Sequence, residues 1–279
     1  MSNSILSVNA LSAGYGKKEI IHNISFTLEP CSLTCLIGKN GCGKTTLIKS
    51  IVNQIKHAGT CFLNGKNLEY FSVRALAREV SYIPQRTGMG ISLPVLDVVL
   101  MGYNPVLKLL ERPKKKQIEL AKEALAAVGL LGVEKEDFQT LSEGQKQLVL
   151  LARTMIEDTK LLLLDEPDSA LDFQNRYMVL KELKKMVQEG EKAGLLCLHD
   201  PVLAMEFCDQ LILMKDGECI KVLHPQKDDI EDMEAAFREI YKDVSLEAYQ
   251  DKNGKRQALL LHSSFLLQAP LQQEYVYPK

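Results

Sequence analysis

Gly38-Lys39-Asn40-Gly41-Cys42-Gly43-Lys44-Thr45 fits the pattern G-x-x-x-x-G-K-[ST] at every fixed position, and the apolar run Ser32 to Ile37 before it reads as a strand. After it, Leu47, Ile48 and Ile51 fall at helical spacing. Strand, glycine loop and helix in that order predict a site for a nucleoside triphosphate with magnesium. Glycines let consecutive backbone N–H groups wrap phosphate oxygens, and the helix that follows presents the positive end of its dipole. Gly38, Asn40, Gly41, Cys42, Gly43, Lys44, Thr45 and Thr46 are therefore the candidate nucleotide contacts. Lys44 would reach the β- and γ-phosphates, and the Thr45 hydroxyl would ligate Mg²⁺. A glycine-rich turn with an incidental lysine is the competing reading, and it leaves the flanking strand and helix patterns unexplained.

Outward from this loop the chain reads as an α/β protein. Ile5-Leu6-Ser7-Val8 and Ile24-Ser25-Phe26-Thr27-Leu28, on either side of Gly14-Tyr15-Gly16, alternate as a small antiparallel β layer. Cys61-Phe62-Leu63 leads into the turn Asn64-Gly65, and Val80-Ser81-Tyr82-Ile83 is a strand ending at Pro84. From about Pro94 to Asp158 the texture becomes helical, with Ile118, Ala121, Leu125 and Val128 on one face; a helical insertion over about 89–158 is expected. Leu161-Leu162-Leu163-Leu164 and Leu195-Leu196-Cys197-Leu198 are continuous apolar runs, as a parallel sheet buried on both faces requires. A helix over Tyr177 to Val187 joins them, and Leu211 to Ile220 forms a hairpin around Asp216-Gly217. Beyond His224, Ile230, Met233, Phe237 and Tyr241 mark an amphipathic helix, and a hairpin is expected around Asn253-Gly254. The division expected is thus 1–223 with a small α+β extension over 224–279.

Composition narrows the function classes. The 279 residues carry a net charge of −2 with 25% charged residues, which gives no global case for nucleic acid or an anionic membrane surface. The basic run Arg112-Pro113-Lys114-Lys115-Lys116 reads as the solvated start of a helix. No stretch approaches the roughly 20 apolar residues a membrane-spanning helix needs. Met1 to Leu11 lacks the pattern of a signal peptide, so a cytoplasmic location is expected. The seven cysteines are scattered singly and read as buried reduced thiols. Cys42 is the exception: a thiol in a phosphate loop at a helix N-terminus is expected to have a lowered pKa and to react with alkylating agents. The five histidines and seven cysteines show no metal-ligand spacing.

Leu161 to Leu164 closes on Asp165, followed at once by Glu166 and Pro167. This is a Walker B strand with a second acid: Asp165 would hold Mg²⁺ and Glu166 would polarise the attacking water. Capping of the next helix by the two acids is the structural alternative. Before this strand lies Leu141-Ser142-Glu143-Gly144-Gln145, which resembles the LSGGQ signature of ATP-binding cassette ATPases, with Glu143 in place of a glycine. Other segments match that family in order. Tyr15 resembles the A-loop aromatic that stacks on adenine, and Gln85 the Q-loop glutamine that meets Mg²⁺ and water. Ser169-Ala170-Leu171-Asp172 resembles the D-loop, and His199 the H-loop histidine that contacts the γ-phosphate.

The resemblance covers roughly residues 5 to 223 and implies a RecA-like P-loop core with a mixed sheet. It also implies ATP and Mg²⁺ as cofactors and a head-to-tail dimer. In that dimer the phosphate loop of one copy and Ser142, Gly144 and Gln145 of the other enclose each ATP. A single cassette without a membrane span further implies integral membrane permease subunits as partners. An extracytoplasmic substrate-binding protein would take part indirectly, and the location would be the cytoplasmic face of the membrane. Val98 to Pro105 and Ala170 to Asn175 are similar to ATPases that import iron–siderophores, haem and cobalamin. Zinc or manganese importer ATPases, and a soluble ATPase such as one of iron–sulfur cluster assembly, are the alternatives. Residues Arg86 to Pro94 are the expected permease contact.

Overall fold

A computed structural model describes residues 4–85, 92–108, 110–251, 254 and 256–262. Its elements follow in chain order: β1 (Leu6–Tyr15), β2 (Lys18–Leu28), β3 (Ser32–Ile37), α1 (Lys44–Ile51), β4 (His57–Leu63), β5 (Lys66–Asn67), α2 (Val73–Glu79), β6 (Val80–Ile83) and α3 (Val95–Leu100). Then come α4 (Lys115–Ala127), α5 (Glu143–Ile156), β7 (Leu161–Leu164), α6 (Phe173–Glu189), β8 (Ala193–Cys197), α7 (Pro201–Phe207), β9 (Gln210–Lys215), β10 (Glu218–Leu223), α8 (Ile230–Ile240), β11 (Val244–Gln250) and β12 (Arg256–His262).

The central sheet has the order β10-β9-β3-β8-β7-β6. Every neighbouring pair from β9 to β6 is parallel, and β10 closes the edge as the antiparallel arm of a hairpin. Burial on both faces explains the uninterrupted apolar runs. Leu33, Cys35, Ile37, Leu162, Leu164, Leu196 and Leu213 point into a core shared with α3 to α6, whereas Leu36, Leu161, Leu163, Leu195, Cys197, Ile212 and Met214 point into a second core. That alternation is the period of two of a strand. The second core is roofed by the antiparallel sheet β2-β1-β4-β5, and Leu47, Ile48 and Ile51 of α1 are buried between the two sheets.

The strands of the antiparallel layer run further than their alternation suggested. β1 continues to Tyr15 and pairs with β2 through irregular register between Val8 and Gly14, which interrupts the sequence pattern without ending the ladder. The helical segment packs Val95, Val98 and Val99 of α3, and Ala121, Ala124 and Leu125 of α4, against α5 in the first core. The run Arg112 to Lys116 leads into α4 with Arg112 and Lys114 to Lys116 exposed. After β10, α8 buries Met233, Phe237 and Ile240 in that same core, and β11 pairs with β12 in full antiparallel register. Asn253, and residues 86–91 of the segment expected to meet a permease, lie outside the described residues.

Candidate nucleotide site

Four neighbouring parallel strands, β3, β8, β7 and β6, bring candidate residues together at their C-terminal ends. β3 runs into the phosphate loop, β8 ends just before His199, β7 ends just before Asp165 and Glu166, and β6 ends two residues before Gln85. Strand spacing of about 4.8 Å makes this row roughly 14 Å wide. In open α/β sheets such a row is where ligands bind. A cleft of about 400 Å³ lies there, lined by Tyr15, Ile20, Asn40, Gly41, Gly43, Lys44, Thr45, Thr46, Gln85, Glu166 and His199. Tyr15 comes from the β1–β2 hairpin and stays half exposed at the mouth.

The phosphate loop reaches α1 through Gly43, the helix N-cap, at φ +107°. A Cβ there would sit 2.5 Å from Ile21 Cγ2, so glycine is required by both backbone conformation and space. Lys44 is buried and donates to the carbonyls of Gly38 at 2.8 Å and Lys39 at 3.4 Å. Thr45 Oγ1 donates to Asp165 Oδ1 at 3.1 Å. Asp165 is 1% exposed, and its Oδ2 has no hydrogen-bond partner among the described residues. Burial pushes the Asp165 carboxyl above its ordinary range, opposed by the hydrogen bonds of Thr45 and Cys197. A desolvated carboxylate oxygen without a donor, beside a threonine hydroxyl, is a donor set that suits a hard cation.

Glu166 is the hub of the site. Its Oε2 accepts from Gln85 Nε2 at 2.6 Å, and its Oε1 lies 2.8 Å from His199 Nε2. The side chain is buried and its backbone is left-handed, at φ +55°. The turn after it is held by Ser169 Oγ, which donates to the Glu166 carbonyl at 3.1 Å. His199 directly precedes the cap of the helix that follows, where Asp200 Oδ1 accepts from the backbone N–H groups of Val202 and Leu203.

Ser142, Gly144, Gln145 and Asp172 do not line this cleft. Ser142 caps α5 in a reciprocal box: Gln145 N–H donates to Ser142 Oγ at 3.2 Å, and Ser142 N–H donates to Gln145 Oε1 at 3.0 Å. Glu143, at the position where the signature differs, is ion-paired with Lys146 at 2.8 Å. Asp172 caps α6 by accepting from Asn175 N–H at 2.8 Å.

Cys42 corrects an expectation. Its thiol is turned away from the cleft and packs against Gly38 beneath the loop. Burial pushes its pKa up, outweighing the opposing charge of Lys44. A helix N-terminus lowers a thiol pKa only where the sulfur stays solvated or paired. Sequence reasoning missed Ile20, Gln147 and the buried Asp168, whose Oδ1 has no partner among the described residues. Gln147 left a signal: it is an amide on the apolar stripe of α5, one turn after Gly144 and one before Leu151.

Loop, sheet edge and acid pair together define a P-loop nucleoside triphosphatase. Comparison with known proteins narrows the class. The sequence profile of the ABC transporter family matches residues 21–169. An uncharacterized ABC transporter ATP-binding protein of Haemophilus influenzae is 36% identical over 211 residues, covering 75% of this chain and 80% of that protein. The probable iron chelatin transport ATP-binding protein of Helicobacter pylori is 35% identical, covering 76% and 84%. The iron(3+)-hydroxamate import ATP-binding protein of Bacillus subtilis is 32% identical, covering 77% and 81%. An inward-facing ABC transporter assigned to the metal-chelate type superposes with a TM-score of 0.75 at 26% identity, covering 94% of this chain and all of that one. The chain belongs to the ABC transporter family and is one of its ATPases, with the RecA-like P-loop core of those cassettes. No helix among the described residues is long and apolar enough to cross a membrane.

Proposed function

We propose that this chain is the ATP-hydrolysing subunit that powers a membrane importer for an iron–siderophore, haem or cobalamin-type substrate. The convergence of Lys44, Thr45, Gln85, Asp165, Glu166 and His199 at adjacent strand ends carries the ATPase half of this assignment. Relatives named for iron chelatin and iron(3+)-hydroxamate transport support the importer half.

Thr45, Gln85 and Asp165 are the residues that would hold Mg²⁺, and the unpartnered Asp165 Oδ2 fits that role. When bound, the ion supplies neutralisation of the phosphate charge. Tyr15 stacks on adenine, and the backbone of Gly38 to Gly43 with Thr46 cradles the phosphates. Glu166, fixed between Gln85 and His199, takes a proton from the attacking water as it adds in line to the γ-phosphorus, while the bond from that phosphorus to the β–γ bridging oxygen breaks and ADP leaves with the electron pair, giving ADP and inorganic phosphate. His199 holds the γ-phosphate, and Lys44 offsets charge developing on its oxygens.

Ser142, Gly144, Gln145 and Asp172 lie outside this cleft; in a head-to-tail dimer they complete the site of a second copy. Residues 1–223 form the ATPase unit, with the helical segment 89–158 inserted in it and 224–279 appended. Permease subunits hold the chain at the cytoplasmic face of the membrane, and a substrate-binding protein delivers cargo to them.

Affinity capture from detergent-extracted membranes of the native host, followed by mass spectrometry, tests this. Co-purification of a polytopic permease is expected. Recovery only from the soluble fraction, with cluster-assembly proteins, would overturn the importer assignment and leave the ATPase chemistry in place.

A further inference from the structure

Gln147 sits one turn into α5, and its side chain faces inward at 8% residue exposure. Its amide grips the turn that follows β7 at both ends. Nε2 donates to the Glu166 carbonyl at 2.8 Å, and Oε1 accepts from the Ala170 N–H at 3.3 Å. The Glu166 carbonyl, on a buried residue, also accepts from Ser169 Oγ, and Ala170 is exposed; the Gln147 amide meets both because it offers a donor to one and an acceptor to the other.

The residue so held is under constraint. Glu166 keeps a left-handed backbone, which a residue with a Cβ adopts at a cost and retains only where its surroundings impose it. From that backbone its carboxylate meets Gln85 on one side and His199 on the other. A second contact ties the same turn to the same helix. A Cβ built on Gly144 would lie 2.8 Å from the Ala170 carbonyl oxygen, so the first turn of α5 and the turn after β7 touch backbone to backbone.

We propose that Gln147 is a positioning residue for hydrolysis: it fixes Glu166 in the geometry that aims its carboxylate, and it makes the turn from Glu166 to Ala170 move with α5. This rests on Glu166 being the general base. The helix that Gln147 belongs to starts at Ser142 to Gln145, the segment assigned above to the site of a second copy. A displacement of that helix start is therefore passed to the base of its own site through the Gln147 amide, beside the backbone contact of Gly144 with Ala170. Gln147 does not line the nucleotide cleft, so its loss acts on the chemical step and not on nucleotide binding.

The test uses the full chain with Gln147→Met, which keeps side-chain volume and removes both hydrogen bonds, and Gln147→Glu, which keeps only the acceptor for Ala170. Turnover, KM for ATP and the Kd of a fluorescent ATP analogue are measured for each. Misplacement of a base by about 1 Å costs on the order of 10²-fold in rate. A fall in kcat of at least about tenfold with Kd and KM within about threefold is expected for both variants. Single-turnover hydrolysis of radiolabelled ATP then compares Glu166→Gln with the double variant Glu166→Gln/Gln147→Met. If Gln147 acts through Glu166, its loss costs nothing further on that background. A full additional loss in the double variant, or kcat near that of the parent in Gln147→Met, overturns the proposal, as does a parallel loss of Kd. Near-normal turnover of Glu166→Gln alone would overturn the base assignment itself, a result distinct from these.

Discussion

Glu166 and Cys42 show how much a single side chain's surroundings decide. The Glu166 carboxylate is buried yet doubly partnered, by the Gln85 amide and the His199 ring. Replacement by glutamine keeps its shape but removes its capacity to accept a proton. Glu166→Gln should therefore lower turnover by at least about 10² while a fluorescent ATP analogue still binds. Turnover within a few-fold of the parent would remove Glu166 from the chemistry. Cys42 gives the opposite lesson. Burial raises its pKa, so at pH 7 it remains the unreactive thiol. Brief treatment with N-ethylmaleimide should label the exposed Cys31 well before Cys42, as peptide mass spectrometry would record. Faster labelling of Cys42 would mean that the loop opens. Sequence could place this cysteine in the loop but not say which way its sulfur points. Local spacing fixes backbone position, whereas side-chain burial depends on Met214 and Gly38, which distant strands bring together.

At the scale of elements, legibility followed burial. β3, β6 and β7 begin and end where their apolar runs do, because a strand buried on both faces writes its bounds directly into the sequence. The antiparallel layer was legible only in part, since bulges between Val8 and Gly14 break its alternation. α2 and α7 were not legible at all: each is seven residues long, too short for a periodic stripe. The candidate site was readable where a motif spans consecutive residues, as in the phosphate loop and the Asp165-Glu166 pair. It was not readable where the contact joins separate elements, as with Gln147 and the Glu166 carbonyl. α7 matters because it starts directly after His199 and is capped by Asp200 accepting two backbone N–H groups. Asp200→Ala should cost about 1 kcal/mol of stability and also lower turnover several-fold by loosening His199. Ser72→Ala, which removes the cap of α2 away from the cleft, should cost a similar amount with turnover preserved. Thermal unfolding and ATPase assays on the pair separate the two effects. Equal turnover in both would mean that the α7 cap does not position the histidine.

At the scale of the whole molecule, the appended helix and hairpin bear on the nucleotide site through packing. Met233, Phe237 and Ile240 of α8 are buried in the core that also holds Leu33, Leu164 and Leu196 of the central sheet. The end of α8 reaches the phosphate loop: Glu239 and Ile240 share a cleft of about 310 Å³ with Lys39 to Cys42, and Lys215 pairs with Glu239 at 3.3 Å. Residues that share one core unfold together unless an interface between them is weak and polar. The region after His224 should thus melt with the ATPase core and not before it. Phe237 is fully buried, and Phe237→Ala should destabilise the chain by about 3–5 kcal/mol through lost contacts and the cavity left behind. Against a usual total of about 5–15 kcal/mol this is a large share. Calorimetry of parent and variant with and without ATP reads the coupling. One transition should appear in each, lowered by the substitution and raised by ATP as binding to the folded state requires. An early transition that ATP leaves unmoved, followed by a second that ATP raises in both proteins, would instead mark 224–262 as a separately folding appendage.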